Sequence, residues 1–193
     1  LLARKDIATV LILGAGTVGR NLVAAYRALF GDLRFLVWNR TPSRAEAMAE
    51  ELGLNTAPDL HAAVAEADVI CGATMATDPV LPGAWLRPGQ HLDLIGAYRP
   101  DMRETDDAAL RRARIFVDSR ETTLHHIGEL KIPLETGVIE ASDVAGDLYD
   151  LVAGRAGRQS EQDITLFKNG GGAHLDLMTS KHILAEWRRA HSL

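Results

Sequence analysis

Cys71 is the single cysteine among these 193 residues, so no internal disulfide can form. That composition leads us to expect a reducing, cytoplasmic setting. Cys71 lies in the largely apolar run 68–73 with no histidine or other base close to it in sequence. A buried structural thiol is therefore expected, not a nucleophile. No run approaches the roughly 18 consecutive apolar residues of a membrane helix, and no signal-peptide pattern leads the chain. A basic run is also missing, and the formal charge is −5, which argues against nucleic acid as the main partner. His125 and His126 are adjacent, and His174, His182 and His191 are scattered; none shows metal-ligand spacing, so no metal site is expected. The length suits one domain, or one with an appendage.

What is present begins with a short apolar, β-branched run at 8–13, followed by Gly14-Ala15-Gly16-Thr17-Val18-Gly19. Val18, Leu22, Ala25, Tyr26 and Leu29 then recur at helical spacing up to Gly31. Strand, glycine turn and helix form the context in which G-x-G-x-x-G reads as a dinucleotide site. Gly14 permits the tight turn, Gly16 lets the backbone approach a pyrophosphate, and Gly19 lets the helix pack on the strand. The N–H groups at the helix start, around Thr17 and Val18, offer the phosphates a partial positive charge.

A further absence narrows the nucleotide. At the end of the second strand (35–38), where an NAD site places a carboxylate for the ribose hydroxyls, stand Asn39, Arg40 and Thr41, then Pro42, Ser43 and Arg44. Nothing there repels a 2′-phosphate, and Arg40 and Arg44 can pair with one in forked geometry. Asn39 and Thr41 can add neutral hydrogen bonds. NADP is expected in preference to NAD. Thr41 and Pro42 also fit a helix start, as N-cap and first helical residue.

Strands and helices alternate through residue 118. Helices are expected at 45–52 (Ala45, Met48, Ala49, Leu52), 59–66 and 106–112, with strands at 54–57, 69–73, 91–95 and 115–118. This rhythm implies an α/β, Rossmann-like, doubly wound, mostly parallel sheet. Ligand contacts belong at strand C-termini, so Ala73, Thr74, Met75 and Gly96 join the candidate cofactor residues. The last third changes character. A helix is expected over 120–130, another marked by Val144, Leu148, Leu151 and Val152, a polar loop over 155–162 and a strand over 164–167. Lys168-Asn169-Gly170-Gly171-Gly172 then opens a final helix; the glycines read equally as a close backbone approach or a hinge.

With these segments in place the chain resembles the ornithine cyclodeaminase/mu-crystallin family over essentially its whole length. The resemblance rests on Asp78-Pro79-Val80-Leu81, Trp85-Leu86-Arg87-Pro88-Gly89, the stretch 96–104, and above all Gly157-Arg158 with Ile164-Thr165-Leu166-Phe167-Lys168. It implies an NAD(P)-dependent protein acting on a small amino or imino acid. It also implies a nucleotide domain at 1–160 and a strand and helix at 161–193 that return toward a substrate domain. In the family that domain is N-terminal, carries the substrate-binding Arg and Lys residues and forms a homodimer. The start at Leu1 leads us to expect that it has been removed here, leaving a fragment that binds cofactor better than it turns substrate over. Family cyclodeaminases carry an Asp two residues past the glycine that follows the fifth strand; here that place holds Tyr98. A phenol is a poor base at neutral pH, so NADP(H)-dependent reduction of a cyclic ketimine, such as Δ1-pyrroline-2-carboxylate, is expected. Ornithine cyclodeaminase activity and a non-catalytic NADP-binding role are the alternatives. Asp101 is a weaker catalytic candidate. Glu104 is read with it as part of a solvated loop before a helix cap, and Arg99 and Arg103 as exposed groups able to approach an anion.

Overall fold

The computed structural model describes residues 1–191, the side chain of His174 excepted. The first apolar run forms β1 (Thr9–Leu13), buried along its full length, and the glycine turn leads into α1 (Thr17–Phe30). There follow β2 (Arg34–Trp38), α2 (Pro42–Leu52), β3 (Asn55–Thr56), α3 (Leu60–Glu66), β4 (Val69–Gly72), a 3-10 turn at Gly83–Trp85 and β5 (His91–Leu94). The second half contains α4 (Asp107–Arg112), β6 (Ala113–Val117), α5 (Arg120–Thr123), α6 (Gly128–Glu135), β7 (Val144–Asp147), α7 (Leu148–Val152), β8 (Ile164–Lys168) and α8 (Ala173–Ala190). All pairings are parallel, in the order β3-β2-β1-β4-β5-β8-β6-β7. No described helix is long and apolar enough to cross a membrane.

Alternation along the strands divides the core between two faces. Leu11, Leu13, Ile70, Leu92 and Leu166 join Val64 and Leu110 on one side. Val10, Ile12, Val37, Val69 and Cys71 join Leu22, Tyr26 and Met48 on the other. With helices on both faces, the strands read as continuous apolar runs. Burial of each such side chain contributes about 1.5–3 kcal/mol.

Three expectations change. The buried stripe of α1 is Gly19, Leu22, Val23 and Tyr26, whereas Val18 and Leu29 are exposed. Gly19 sets this phase: it packs on the carbonyl of Gly14 and on Ile12, so the residues three, four and seven further on face the sheet. The helix expected over 120–130 is split into α5 and α6, because Gly128 docks against residues 99–102 and its N–H donates to the Arg99 carbonyl (2.9 Å). Val144 belongs not to a helix but to edge strand β7, which pairs with β6. Asp147 ends that strand and caps α7 by accepting the Asp150 N–H (3.0 Å). β8 lies inside the sheet between β5 and β6.

Arg158 secures the N-terminal ends of these interior strands. Its guanidinium donates to the carbonyls of Leu2 (2.7 Å), Asp163 (2.6 Å), Gly89 (3.2 Å) and Gln90 (3.3 Å), and to the Thr165 hydroxyl (3.1 Å). The Gly157-Arg158 signature is thus a structural clasp at the end of the sheet opposite the glycine turn. Nδ1 of the buried His91 lies 2.9 Å from the same Thr165 hydroxyl. Burial, reinforced by the nearby Arg158 charge, pushes the His91 pKa down to about 3. The folded state therefore holds His91 neutral while the unfolded chain protonates it below pH 6.5, so stability falls as pH drops from there toward 3. The slope is about 1.4 kcal/mol per pH unit. Urea unfolding should show wild type losing about 2 kcal/mol more than His91→Gln between pH 6.5 and 5; equal losses would exclude His91 as the source.

Candidate functional site

The C-terminal edge of the sheet collects the loops that follow β1, β2, β4, β5, β8 and β6. Gly14 has φ +110°, a conformation closed to most side chains, and a Cβ there would stand 2.6 Å from the Ala73 carbonyl. Its N–H donates to the Trp38 carbonyl (2.9 Å). Gly16, Thr17 and Val18 are exposed. A Cβ on Gly16 would meet nothing within 4 Å, and no side chain caps the start of α1. The first-turn N–H groups are left facing outward, the arrangement that receives a phosphate.

Beside this turn, Asn39 is a strut. Its Oδ1 accepts the Ala15 N–H (3.2 Å) and its Nδ2 donates to the Thr41 carbonyl (3.0 Å), joining the glycine turn to the loop after β2. Thr41 precedes α2 as its N-cap, with Pro42 in the first turn and no side-chain cap bond. Arg40, Thr41 and Arg44 are exposed. Arg20 is committed to the Ala15 carbonyl (2.6 Å) and to Glu51 (3.0 Å). The guanidinium groups of Arg40 and Arg44, by contrast, have no ion pair with any described residue. They stand beside an uncapped helix start with no acidic residue in its first turn.

On the other side of β1 the decisive group is Glu104. It is 1% exposed, not a solvated loop residue, and the helix-capping role falls to Asp106, which accepts the Ala109 N–H (2.9 Å). Glu104 Oε1 accepts from the Thr74 N–H and hydroxyl (both 2.8 Å), and Oε2 from the N–H groups of Gly96 (2.8 Å) and Ala97 (3.2 Å). Ala73 is fixed by its N–H to the Leu13 carbonyl (2.8 Å), while Met75 and Tyr98 project into solvent. Asp101 is exposed and paired with Arg99 (2.9 Å), which holds its carboxyl below the usual range. Arg103 is buried, contrary to the expectation of an exposed cation, and donates to Asp107 (2.7 Å).

Beneath this edge lies a charged cluster that the sequence reading missed. Lys168 is fully buried and its Nζ donates to the Leu94 carbonyl (3.1 Å). Burial pushes its pKa down, opposed by Glu104, Glu129, Asp118 and Asp93. Burial pushes the Glu129 carboxyl up. Asp118 accepts from the Ser119 N–H (2.9 Å), the Thr123 hydroxyl (2.5 Å) and the Gly172 N–H (3.4 Å). Gly170 packs against Thr123 as well, so Gly170 and Gly172 make their close approach to the chain's own buried acid, while Gly171 has open space and φ +74°. Strand alternation carried the missing signal: Ile164, Leu166 and Lys168 share one face, and the first two are core.

A parallel sheet with helices on both faces and an open glycine turn at its carboxyl edge defines the Rossmann-like class. The family model for the ornithine cyclodeaminase/mu-crystallin family matches residues 1–191, and the chain belongs to that family. It is 56% identical over 190 residues to Δ1-pyrroline-2-carboxylate reductase of Paracoccus denitrificans, covering 95% of this chain and 60% of that protein. Mouse ketimine reductase mu-crystallin is 34% identical over 178 residues, covering 91% and 54% respectively. The solved structure of Thermococcus litoralis Δ1-pyrroline-2-carboxylate reductase in complex with NADH and L-proline superposes with a TM-score of 0.90 at 32% identity, over 100% of this chain and 61% of that one. The chain thus spans about 60% of the length of the first of these relatives.

Lys168 is the cation whose charge the nearby acids Glu104, Glu129, Asp118 and Asp93 feel among the described residues. Lys168→Met should cost about 3–5 kcal/mol in urea unfolding, and adding Glu129→Gln should restore part of it. A loss below about 1 kcal/mol would remove Lys168 as the counter-charge.

Proposed function

We propose that this chain is the nucleotide-binding part of an NADP(H)-dependent reductase that converts a small cyclic ketimine, such as Δ1-pyrroline-2-carboxylate, to the amino acid. The observation that carries this reading is the 56% identity to the Paracoccus denitrificans reductase across 95% of the chain. The open first turn of α1 at Gly16, Thr17 and Val18 fits a pyrophosphate. Arg40 and Arg44, exposed and without ion pairs among the described residues, fit a 2′-phosphate, with Thr41 beside them. Asn39 holds the two loops in register. Ala73, Thr74, Met75 and Gly96 border the far half of the dinucleotide, since adenosine lies toward β2 and the sheet continues through β4 and β5.

When bound, the reduced nicotinamide supplies the hydride. The loops after β4 and β5 hold the ring against its partner and keep the backbone lining fixed. Tyr98 stands where family cyclodeaminases carry an acid, and Asp101 is tied to Arg99. Release of ammonia needs groups that activate water, whereas reduction of an imine protonated on nitrogen does not. Reduction is therefore preferred over cyclodeamination.

Helix α8 presents Leu177, Met178, Ile183, Leu184 and Trp187 to solvent. A substrate domain packing on this helix, in a homodimer, agrees with the greater length of the relatives. On this reading, residues from about 170 onward belong with that domain while β8 stays in the sheet.

Titration of the chain should give tighter binding of NADPH than of NADH, with Arg40→Ala removing about tenfold of that preference. Equal affinities in wild type would exclude a 2′-phosphate site at Arg40 and Arg44. For activity, the chain joined to the N-terminal part of its Paracoccus relative should oxidise NADPH with Δ1-pyrroline-2-carboxylate and release little ammonia from ornithine. Robust ammonia release would reverse the preference drawn from Tyr98.

A further inference from the structure

We propose that Glu104 is a positioning residue for the nicotinamide half of the cofactor: a buried carboxylate that straps the loop after β4 to the loop after β5. The inference rests on the dinucleotide reading above and specifies how one half of that site is built. Four donors converge on the two oxygens: the Thr74 N–H and hydroxyl on Oε1, and the Gly96 and Ala97 N–H groups on Oε2. The sheet order β2-β1-β4-β5 places these loops on the side of the pyrophosphate turn away from Asn39 and Arg40. They therefore border the part of the dinucleotide that carries the reactive ring.

The surroundings are shaped to admit this one side chain. A Cβ on Gly96 would stand 2.5 Å from Oε1 and a Cβ on Gly72 2.8 Å from it, so both strand ends leave room for the carboxylate. The segment carrying Glu104 is itself anchored. Its N–H donates to Glu129 Oε2 (2.5 Å), the Thr105 N–H to Glu129 Oε1 (3.0 Å), and its carbonyl accepts from Val80 and Leu81 (both 3.0 Å). Glu104 is 1% exposed, so it acts through the backbone it holds and not by touching the cofactor. Charge is required as well as shape. A glutamine of the same size would turn an N–H toward donors already present, leaving at least one of them unpaired in a buried place.

The test compares binding of NADPH with binding of its adenosine half alone, adenosine 2′,5′-bisphosphate, using this chain. Glu104→Gln should weaken NADPH about tenfold or more and change the half-ligand less than about twofold. Thr74→Val removes one hydroxyl donor and keeps the backbone bonds, so it should weaken NADPH a few-fold in the same selective way; it decides the matter if Glu104→Gln does not fold. Equal losses for both ligands, or no loss of NADPH binding in either variant, would overturn the role of Glu104 while leaving the nucleotide reading intact. If wild type takes NADH and not NADPH, the same comparison runs with NADH and AMP. Failure of wild type to bind either dinucleotide would remove the nucleotide reading and the strap's purpose together.

Discussion

Because β8 lies between β5 and β6, the half-sheet built from β1 to β5 meets the β6–β7 pair only through the last strand of the chain. Neither half closes its ladder until residues 164–168 are in place, so the sheet depends on a long-range pairing. Both ends of that strand are fastened. Arg158 and Thr165 join its start to β5 and to Leu2. Lys168 and the Asn169 N–H join its end to the Leu94 carbonyl. Since the loop after β5 leaves from that junction, insertion of β8 also sets where Gly96 and Ala97 lie.

Much of this was legible in the residues. The glycine turn, the alternation of strands and helices and the basic loop after β2 follow from local patterns, and each was found where the spacing placed it. What local pattern could not supply is partnership. Val144 fits a helical period with Leu148 and Leu151, and only the presence of β6 beside it makes it a strand. The phase of α1 depends on Gly19 touching Gly14, a tertiary contact that a count of apolar positions does not see. Burial of Glu104 and Lys168 was the costliest misreading for the site. An acid in a run of charged residues reads as solvated, and a lysine before glycines reads as loop, unless their partners are known to be buried with them.

The carboxyl edge divides into two environments with different chemistry. Toward β2 the groups are exposed, cationic and without ion pairs among the described residues, suited to a highly charged phosphate that retains some water. Toward β5 and β8 most are buried, with the Lys168 Nζ on the Leu94 carbonyl and the charges of Glu104, Glu129, Asp118 and Asp93 near it. Buried charges arranged this way contribute little net stability compared with apolar packing, but breaking one pair is expensive. Such a cluster favours one loop geometry over its alternatives.

This division bears on which reaction the edge can serve. Among the acids of the segment after β5, Glu104 is saturated by four donors. Asp101 is paired with Arg99, and Asp106 caps α4 while also accepting the Gly83 N–H (2.8 Å). Asp118, across the sheet, is filled by Ser119, Thr123 and Gly172. A group that must take up and release protons during turnover needs access to the reacting atoms, and Glu104 and Asp118 are buried with their oxygens committed to these donors. Ammonia release would need such a group at this edge. Imine reduction needs a fixed ring, a clamp on the substrate carboxylate and a proton already on nitrogen. On the function proposed above, these residues would fix the ring.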